Sequence, residues 1–174
     1  MKLKLLLLTF ALLISTLSFG QKDEVYGNLT ESFDYAKASF GDIDYYYSYL
    51  KKCKGETFED AKYYIRKARN SVEDAKNKAN SAKSEAEEAE SKADDINCDD
   101  AKSESEDAGS KFNNAVSNLD DAYTYLRRAE NADDVDNFLY YIKKAQSSID
   151  DAINNLKNGM SNLNDAVEKL KDCK

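Results

Sequence analysis

The sequence predicts an all-α protein: an elongated, antiparallel four-helix coiled-coil bundle built from two duplicated helical hairpins. Three observations predict this fold. Apolar residues recur at alternating spacings of three and four along four separate runs, which is the pattern of helices that pack in coiled-coil fashion. The 174 residues include no proline that would interrupt a helix. Motifs of the first half also return in the second half in the same order.

The four apolar runs define the four predicted helices. They cover positions 29–50, 58–96, 101–129 and 135–173. A strand would alternate with a period of two, and none of the runs does so. The first run predicts the following core residues for its helix: Leu29, Phe33, Ala36, Phe40, Ile43, Tyr47 and Leu50. The fourth run adds a second apolar stripe beside its seam: Leu139, Ile153, Met160 and Val167.

Residues typical of helix ends mark the start of the first run and two of the three breaks between runs. Asn28, followed by Glu31, predicts an N-terminal cap for the first helix. Gly55 suits the left-handed position that ends a helix, and Thr57 suits the cap of the next one. Asp133 is the predicted cap of the fourth helix.

The boundary between the second and third runs is less marked. It has neither glycine nor proline, but the heptad phase changes there, because the third run needs Ala101 and Ser105 in the core. Continuing the second run would instead bury Asp100 and Ser103. The phase change favours a turn, and one continuous helix is the alternative. A second alternative concerns the alanine-rich segment 83–93, which could also be a solvated single helix outside the bundle.

An internal duplication organises the helices into two hairpins. The segment YSYLKK at 47–52 returns as YTYLRR at 123–128, and YYIRKA at 63–68 returns as YYIKKA at 140–145. A duplicated hairpin with short connections predicts an up-down-up-down bundle. Its second and fourth helices, of roughly 40 residues, predict a rod about 60 Å long.

The first 20 residues predict a cleaved signal peptide. Lys2 and Lys4 precede an apolar stretch at 5–13, and small residues follow as far as Gly20. This order of charge, hydrophobic core and small residues is that of a secretory signal, with cleavage expected after Gly20. An uncleaved N-terminal anchor is the alternative. We therefore expect an exported protein, either periplasmic or extracellular.

The remaining segment, 21–174, is predicted to form one helical bundle domain, with hairpin repeats at 28–97 and 99–173. Removing Lys2 and Lys4 with the signal peptide changes the formal net charge from −8 to −10. Such a charge argues against nucleic acid as a partner, because no basic patch could offset the phosphates. No second apolar segment is long enough for a stable membrane span in the mature chain.

The composition argues against an enzyme. The chain has no histidine, so the commonest general base and the usual serine or cysteine partner are missing. No phosphate-cradling glycine motif appears, and neither a cofactor nor a metal site is predicted. The cluster of Asp94, Asp95, Asp99 and Asp100 could hold Ca²⁺ loosely, although without the spacing of an EF-hand.

The three cysteines are disulfide candidates, since exported proteins meet an oxidising compartment. In the predicted bundle Cys98 and Cys173 lie at one end and Cys53 at the other, which favours a Cys98–Cys173 bridge. If the third helix is shorter than its neighbours, Cys98 and Cys173 could lie at different heights along the rod, which would disfavour the bridge. Cys53 is then left as a free thiol or as the site of an intermolecular dimer.

Ten of the twelve tyrosines fall near the end of the rod opposite the predicted disulfide. With the seam at heptad positions a and d, one set flanks the core at position g: Tyr46, Tyr64, Tyr125 and Tyr141. A second set points away from the core at position f: Tyr45, Tyr63 and Tyr140. Flanking tyrosines have an ordinary packing role, whereas exposed clustered aromatics are more typical of a contact surface.

Basic residues accompany these tyrosines: Lys51, Lys52, Lys54, Arg66, Lys67, Arg127, Arg128, Lys143 and Lys144. The sequence therefore predicts a non-catalytic structural or interaction protein, such as a spacer, adaptor or adhesin-like rod. Its tyrosine- and lysine-rich end is the candidate surface for binding another protein or for self-association. The alternative is an exported helical-bundle carrier of a cation such as Ca²⁺ or of a small ligand.

Overall fold

The computed structural model describes residues 21–54 and 56–173, which form four helices and no strand. The helices are α1 (Gln21–Lys52), α2 (Phe58–Asp95), α3 (Asp99–Glu130) and α4 (Val135–Asp172). Each helix packs against the next one along the chain. The predicted all-α class is therefore confirmed. The predicted signal peptide and the predicted conformation of Gly55 lie outside the described residues.

Two of the predicted helix caps are wrong and one is confirmed. The Thr57 hydroxyl accepts a hydrogen bond from the Asp60 backbone N–H at 3.2 Å and caps α2 as predicted. The cap of α4 is Asp134 rather than Asp133, and its carboxylate accepts from the Asn137 N–H at 2.8 Å. Asn28 is not a cap, because it lies inside α1, where its side-chain amide donates to Glu85 of α2 at 2.9 Å.

The turn between α2 and α3 explains how the chain reverses without glycine or proline. Asn97 takes a positive φ of 54°, a left-handed conformation that asparagine tolerates better than most residues. The N–H groups of Asn97 and Cys98 donate to the carbonyls of Asp94 and Ala93, both at 2.9 Å, which completes a Schellman-type end of α2. The two helices are thus separate, as the phase change predicts.

The buried face of α1 differs from the predicted one. The core contains Tyr46, which is fully buried, whereas Tyr47 is only half-buried. Ser32 and Ser39 are also fully buried, while Phe40 is half-buried. At 39 and 40 the predicted register was wrong because it followed the more hydrophobic residue. At 46 and 47 both residues are tyrosine, so hydrophobicity could not tell them apart.

Alanine on α2 explains why serine is tolerated in this core. The buried face of α2 is almost entirely small beyond Val72, with Ala75, Ala79, Ala82, Ala86, Ala89 and Ala93 fully buried. Small side chains let the two helix backbones approach closely. The Ser32 hydroxyl donates to the Ala82 carbonyl at 2.7 Å, and Ser39 donates to the Ala75 carbonyl at 2.9 Å. The alternative of a solvated single helix at 83–93 is therefore excluded.

One end of the bundle is closed by the predicted disulfide. Cys98 and Cys173 are bonded, with 5.7 Å between their Cα atoms. The two cysteines are level although α3, at 32 residues, is shorter than α2 and α4, at 38 residues each. A helix of 38 residues extends about 57 Å, so the bundle is a rod. We call this end the disulfide end.

The extra length of α2 and α4 projects at the opposite end. Glu130, the last residue of α3, pairs with Arg66 and Arg69, which lie about two to three turns into α2. Tyr47, near the end of α1, bonds to Asp150, about four turns into α4. The first turns of α2 and α4 therefore extend beyond their neighbours.

This stagger changes the environment of the apolar stripe on α4. Met160 and Val167 are buried as predicted, and Ile153 is half-buried. Val135 and Leu139, which the sequence places in apolar rows, are more than half exposed. They lie in the projecting first turns of α4, beyond the ends of α1 and α3, where the Phe138 ring packs on the Phe58 ring of α2, with 5.4 Å between the ring centres.

Candidate functional site: the tyrosine-rich end

The tyrosine-rich end comprises the last turns of α1 and α3 and the first turns of α2 and α4. Among the described residues, every large hydrophobic side chain that is exposed lies there: Tyr45 (61%), Tyr63 (52%), Val135 (52%), Leu139 (55%) and Tyr140 (54%). Each is within about two turns of a helix end. Exposed apolar groups concentrated in one region are typical of a contact surface.

The three tyrosines predicted to point outward do so, but they lie on different sides of the rod. Tyr45 is on α1, Tyr63 on α2 and Tyr140 on α4, and in the described residues no ring contact joins any two of them. Because α2 and α4 both flank α3 and touch each other only slightly, their outward faces point in different directions. The predicted set is therefore a belt around one end rather than a single patch.

The flanking set divides into two environments. Tyr64, Tyr125 and Tyr141 are half-buried, as the predicted g position requires. Tyr46 was predicted to flank the core, but it is fully buried and is among the largest side chains of the core. Its place in the core follows from the shifted register of α1.

Two adjacent tyrosines of α1 have opposite hydrogen-bonding states. The Tyr46 hydroxyl is buried without a hydrogen-bond partner among the described residues, and burial raises the pKa of Tyr46 above its ordinary value. The Tyr47 hydroxyl donates to the Asp150 carboxylate at 2.9 Å and links α1 to α4. Burial, reinforced by Asp150, raises the pKa of Tyr47 to about 12.

Replacing each of these tyrosines by phenylalanine is expected to change stability in opposite directions. Tyr46→Phe removes a buried hydroxyl that has no partner, so the free energy of unfolding should rise by about 1 kcal/mol. Tyr47→Phe removes the link to Asp150 and should lower it by about 0.5–1 kcal/mol. Urea denaturation of the two variants measures both values. A loss of stability in Tyr46→Phe would show that the Tyr46 hydroxyl is bonded after all.

The duplication produces two nearly identical aromatic units at this end. The rings of Tyr63 and Tyr64 meet edge to face at 5.5 Å, and Lys67 lies 5.6 Å from the Tyr63 ring. On α4, the rings of Tyr140 and Tyr141 meet edge to face at 5.3 Å, and Lys144 lies 5.7 Å from the Tyr140 ring. A lysine beside a tyrosine ring is a favourable contact that also keeps a cation beside the exposed aromatic group.

The basic residues of this end are not equally available. Glu130 forms ion pairs with both Arg66, at 2.6 Å, and Arg69, at 2.7 Å. Arg127 and Arg128, in the last turn of α3, form no ion pair with any residue in 21–54 or 56–173. The sequence alone could not distinguish the paired arginines from the unpaired ones, because it does not show which arginines contact Glu130.

Cys53 lies at this end but is not freely presented to solvent. Its thiol is unpaired and half-buried, and it donates to the carbonyls of Tyr49 at 3.5 Å and Ala61 at 3.7 Å. Burial raises the pKa of the Cys53 thiol, which lowers the fraction of reactive thiolate. A dimer through Cys53 stays a prediction, and it would require this thiol to leave its packed position.

Two acidic residues of the disulfide end, Asp99 and Asp100, lie in the first turn of α3. Asp94 pairs with Lys102 at 2.8 Å. Burial, together with the neighbouring carboxylates of Asp165 and Asp107, raises the pKa of Glu104. Within the described ranges no three or more His, Cys, Asp or Glu side chains are grouped to hold a metal ion. None of the four described helices is both long and apolar enough to cross a membrane.

Comparison with known proteins identifies no relative of this chain: no family model, curated protein or solved structure matches it. The functional argument therefore depends on the geometry and the chemistry of the tyrosine-rich end.

Proposed function

We propose that the protein is an exported, non-catalytic helical rod that serves as a spacer, adaptor or adhesin-like protein and binds a protein partner through its tyrosine-rich end. One observation supports this proposal above the others. All the large hydrophobic side chains that are exposed in the described part of the chain lie at that one end. The rest of the rod presents polar and charged side chains, which favour solubility over contact.

The chemistry of this end suits a protein contact. Tyrosine provides a large apolar surface and a hydroxyl at little cost in conformational entropy, which makes it common at binding surfaces. Val135 and Leu139 add aliphatic surface on α4 beside Tyr140. Lys67 and Lys144 add a cation beside Tyr63 and Tyr140. Aromatic, aliphatic and cationic groups together resemble the core and rim of a recognition surface.

A rigid scaffold supports the same proposal. The disulfide holds α4 to the turn that follows α2, and the ion pairs of Glu130 hold α2 to α3 near the other end. A surface on a rigid element loses little entropy when it binds a partner. A rod of this kind can present its binding end at a fixed distance from whatever holds the other end.

The proposal is tested by replacing Tyr45, Tyr63 and Tyr140 with serine together. Partners are captured from the native compartment by affinity purification, with and without reducing agent. The parent protein should retain a protein partner or form a higher oligomer, and the triple variant should not. The three side chains are exposed, so circular dichroism should show unchanged helicity. Tyr35→Ser, a half-buried tyrosine midway along α1, serves as the control and should keep the partner. Retention of all contacts by the triple variant would count against the proposal.

A further inference from the structure

The turn between α3 and α4 borders an open cleft at the tyrosine-rich end, with a volume of about 340 Å³. This volume is in the range of small-ligand sites and is large enough for one amino-acid side chain. The residues that line it and define its chemistry are Arg127, Arg128, Asn131, Asp133, Asn137 and Tyr141.

The cleft contains two cationic groups that form no ion pair within the described residues. Arg127 and Arg128 line it, and neither pairs with a carboxylate of the described residues. Two arginines of α2, Arg66 and Arg69, by contrast share an ion pair with Glu130. Two uncompensated guanidinium groups in one cleft favour an anionic ligand.

Part of the cleft wall is held in place by contacts within the chain. The Arg128 guanidinium lies 5.9 Å from the ring centres of both Tyr125 and Tyr141. The Asn131 amide donates to the Arg127 carbonyl at 2.9 Å, and the Asn137 amide donates to the Asp134 carboxylate at 2.7 Å. Groups already ordered in this way lose little conformational entropy on binding.

The charge around the cleft selects a singly charged anion. The C-terminal end of α3 contributes the negative end of the helix dipole, and the carboxylate of Asp133 lies on the cleft wall. Both disfavour a doubly charged phosphate more than a carboxylate. The planar fork of arginine also matches the two oxygens of a carboxylate.

We propose that this cleft binds an aspartate or glutamate side chain of an acidic segment in a protein partner. The inference rests on the proposed function, because it names the chemistry of the partner at the same end. The half-buried ring of Tyr141, which lines the cleft, offers an apolar contact beside the arginines. The segment that fits therefore combines a carboxylate with neighbouring apolar side chains.

The test titrates the purified protein with three probes while its backbone amide resonances are recorded by NMR. The probes are N-acetylglutamate methylamide, its glutamine analogue and inorganic phosphate. The glutamate probe should shift amides between positions 127 and 141, with a dissociation constant on the order of 1 mM. The glutamine analogue, which lacks the charge, should bind at least about tenfold more weakly.

A matched pair of variants separates the cleft from general charge. R127Q/R128Q should weaken binding of the glutamate probe at least about tenfold. K51Q/K52Q removes two cations from the equivalent positions of the first repeat, where Lys52 lies 5.2 Å from the Tyr49 ring, and it should leave the affinity unchanged. Equal loss in both variants, equal binding of the glutamine analogue, or tighter binding of phosphate would each overturn the inference.

The partner capture described above distinguishes failure of the inference from failure of the proposed function. If R127Q/R128Q retains a partner that the triple tyrosine variant loses, the tyrosine-rich end binds but the cleft does not. If neither variant loses a partner, the proposed function itself fails. Loss in both variants, together with the glutamate titration, supports both.

Discussion

Removing the Cys98–Cys173 disulfide is expected to lower the free energy of unfolding by about 4 kcal/mol. The bridge joins cysteines 75 residues apart in sequence, so it restricts a long loop of the unfolded chain. It also closes the end where α2 contributes only alanine to the core, and Ala86, Ala89 and Ala93 bury little apolar area per residue. Urea denaturation of the double variant Cys98→Ala, Cys173→Ala measures the loss.

Two controls isolate the effect of the bridge. Cys53→Ala removes a thiol that is not bonded to another cysteine, so its stability should stay within about 1 kcal/mol of the parent. Reducing agent should destabilise the parent protein and leave the double cysteine variant unchanged. Equal stability of the oxidised parent and the double variant would mean that the bridge does not constrain the unfolded chain.

Gly159→Ala is expected to destabilise the protein by about 1–3 kcal/mol, although alanine is the better helix former. A Cβ atom at Gly159 would lie 2.5 Å from the Cε1 atom of Phe112 and 2.8 Å from two further ring atoms. Phe112 is fully buried in α3, so its ring cannot move aside into solvent. Either the ring leaves its preferred rotamer or the backbones of α3 and α4 separate.

The same substitution at Gly41 is the control, and its effect should have the opposite sign. Gly41 lies inside α1, and a Cβ atom there would meet nothing within 4 Å. Gly41→Ala should therefore raise the free energy of unfolding by about 0.5–1 kcal/mol. Adding Phe112→Leu to Gly159→Ala should restore part of the lost stability, because the two sites are in contact. A gain at both glycines would contradict the close packing of α3 on α4.

The fold could be predicted because its determinants are local and periodic. The apolar spacing identified all four helices, and the duplication indicated their pairing into hairpins. The same reasoning placed Cys98 and Cys173 at one end, where they are bonded. It failed in α1, because hydrophobicity alone favoured Phe40 over Ser39. The structure buries Ser39 because its hydroxyl donates to the Ala75 carbonyl across an alanine-lined contact.

The candidate site could be predicted only in part. Heptad position sufficed to predict that Tyr45, Tyr63 and Tyr140 point outward. Exposure of Val135 and Leu139 depends on how far α4 projects beyond its neighbours, which periodicity does not encode. Arg127 and Arg128 are left without an ion pair in the described part of the chain because Glu130 pairs with arginines of α2 instead. The sequence does not reveal this contact between α3 and α2.

The two ends of the rod have different physical characters. The disulfide end is closed covalently, and its core is narrow because alanine lines α2. The tyrosine-rich end has staggered helices, exposed aromatic and aliphatic side chains, and uncompensated arginines. The proposed binding surface thus lies at the end that is not closed covalently.

Site-specific photo-crosslinking in the native compartment tests the central claim most directly. A photoreactive amino acid is placed at Tyr63 or Tyr140 in the tyrosine-rich end, and at Asp99 or Ser161 in the half of the rod nearer the disulfide. All four positions are exposed. We expect cross-links to a protein partner, or to a second copy, from Tyr63 and Tyr140 alone. Cross-links confined to Asp99 and Ser161 would contradict the assignment of binding to the tyrosine-rich end.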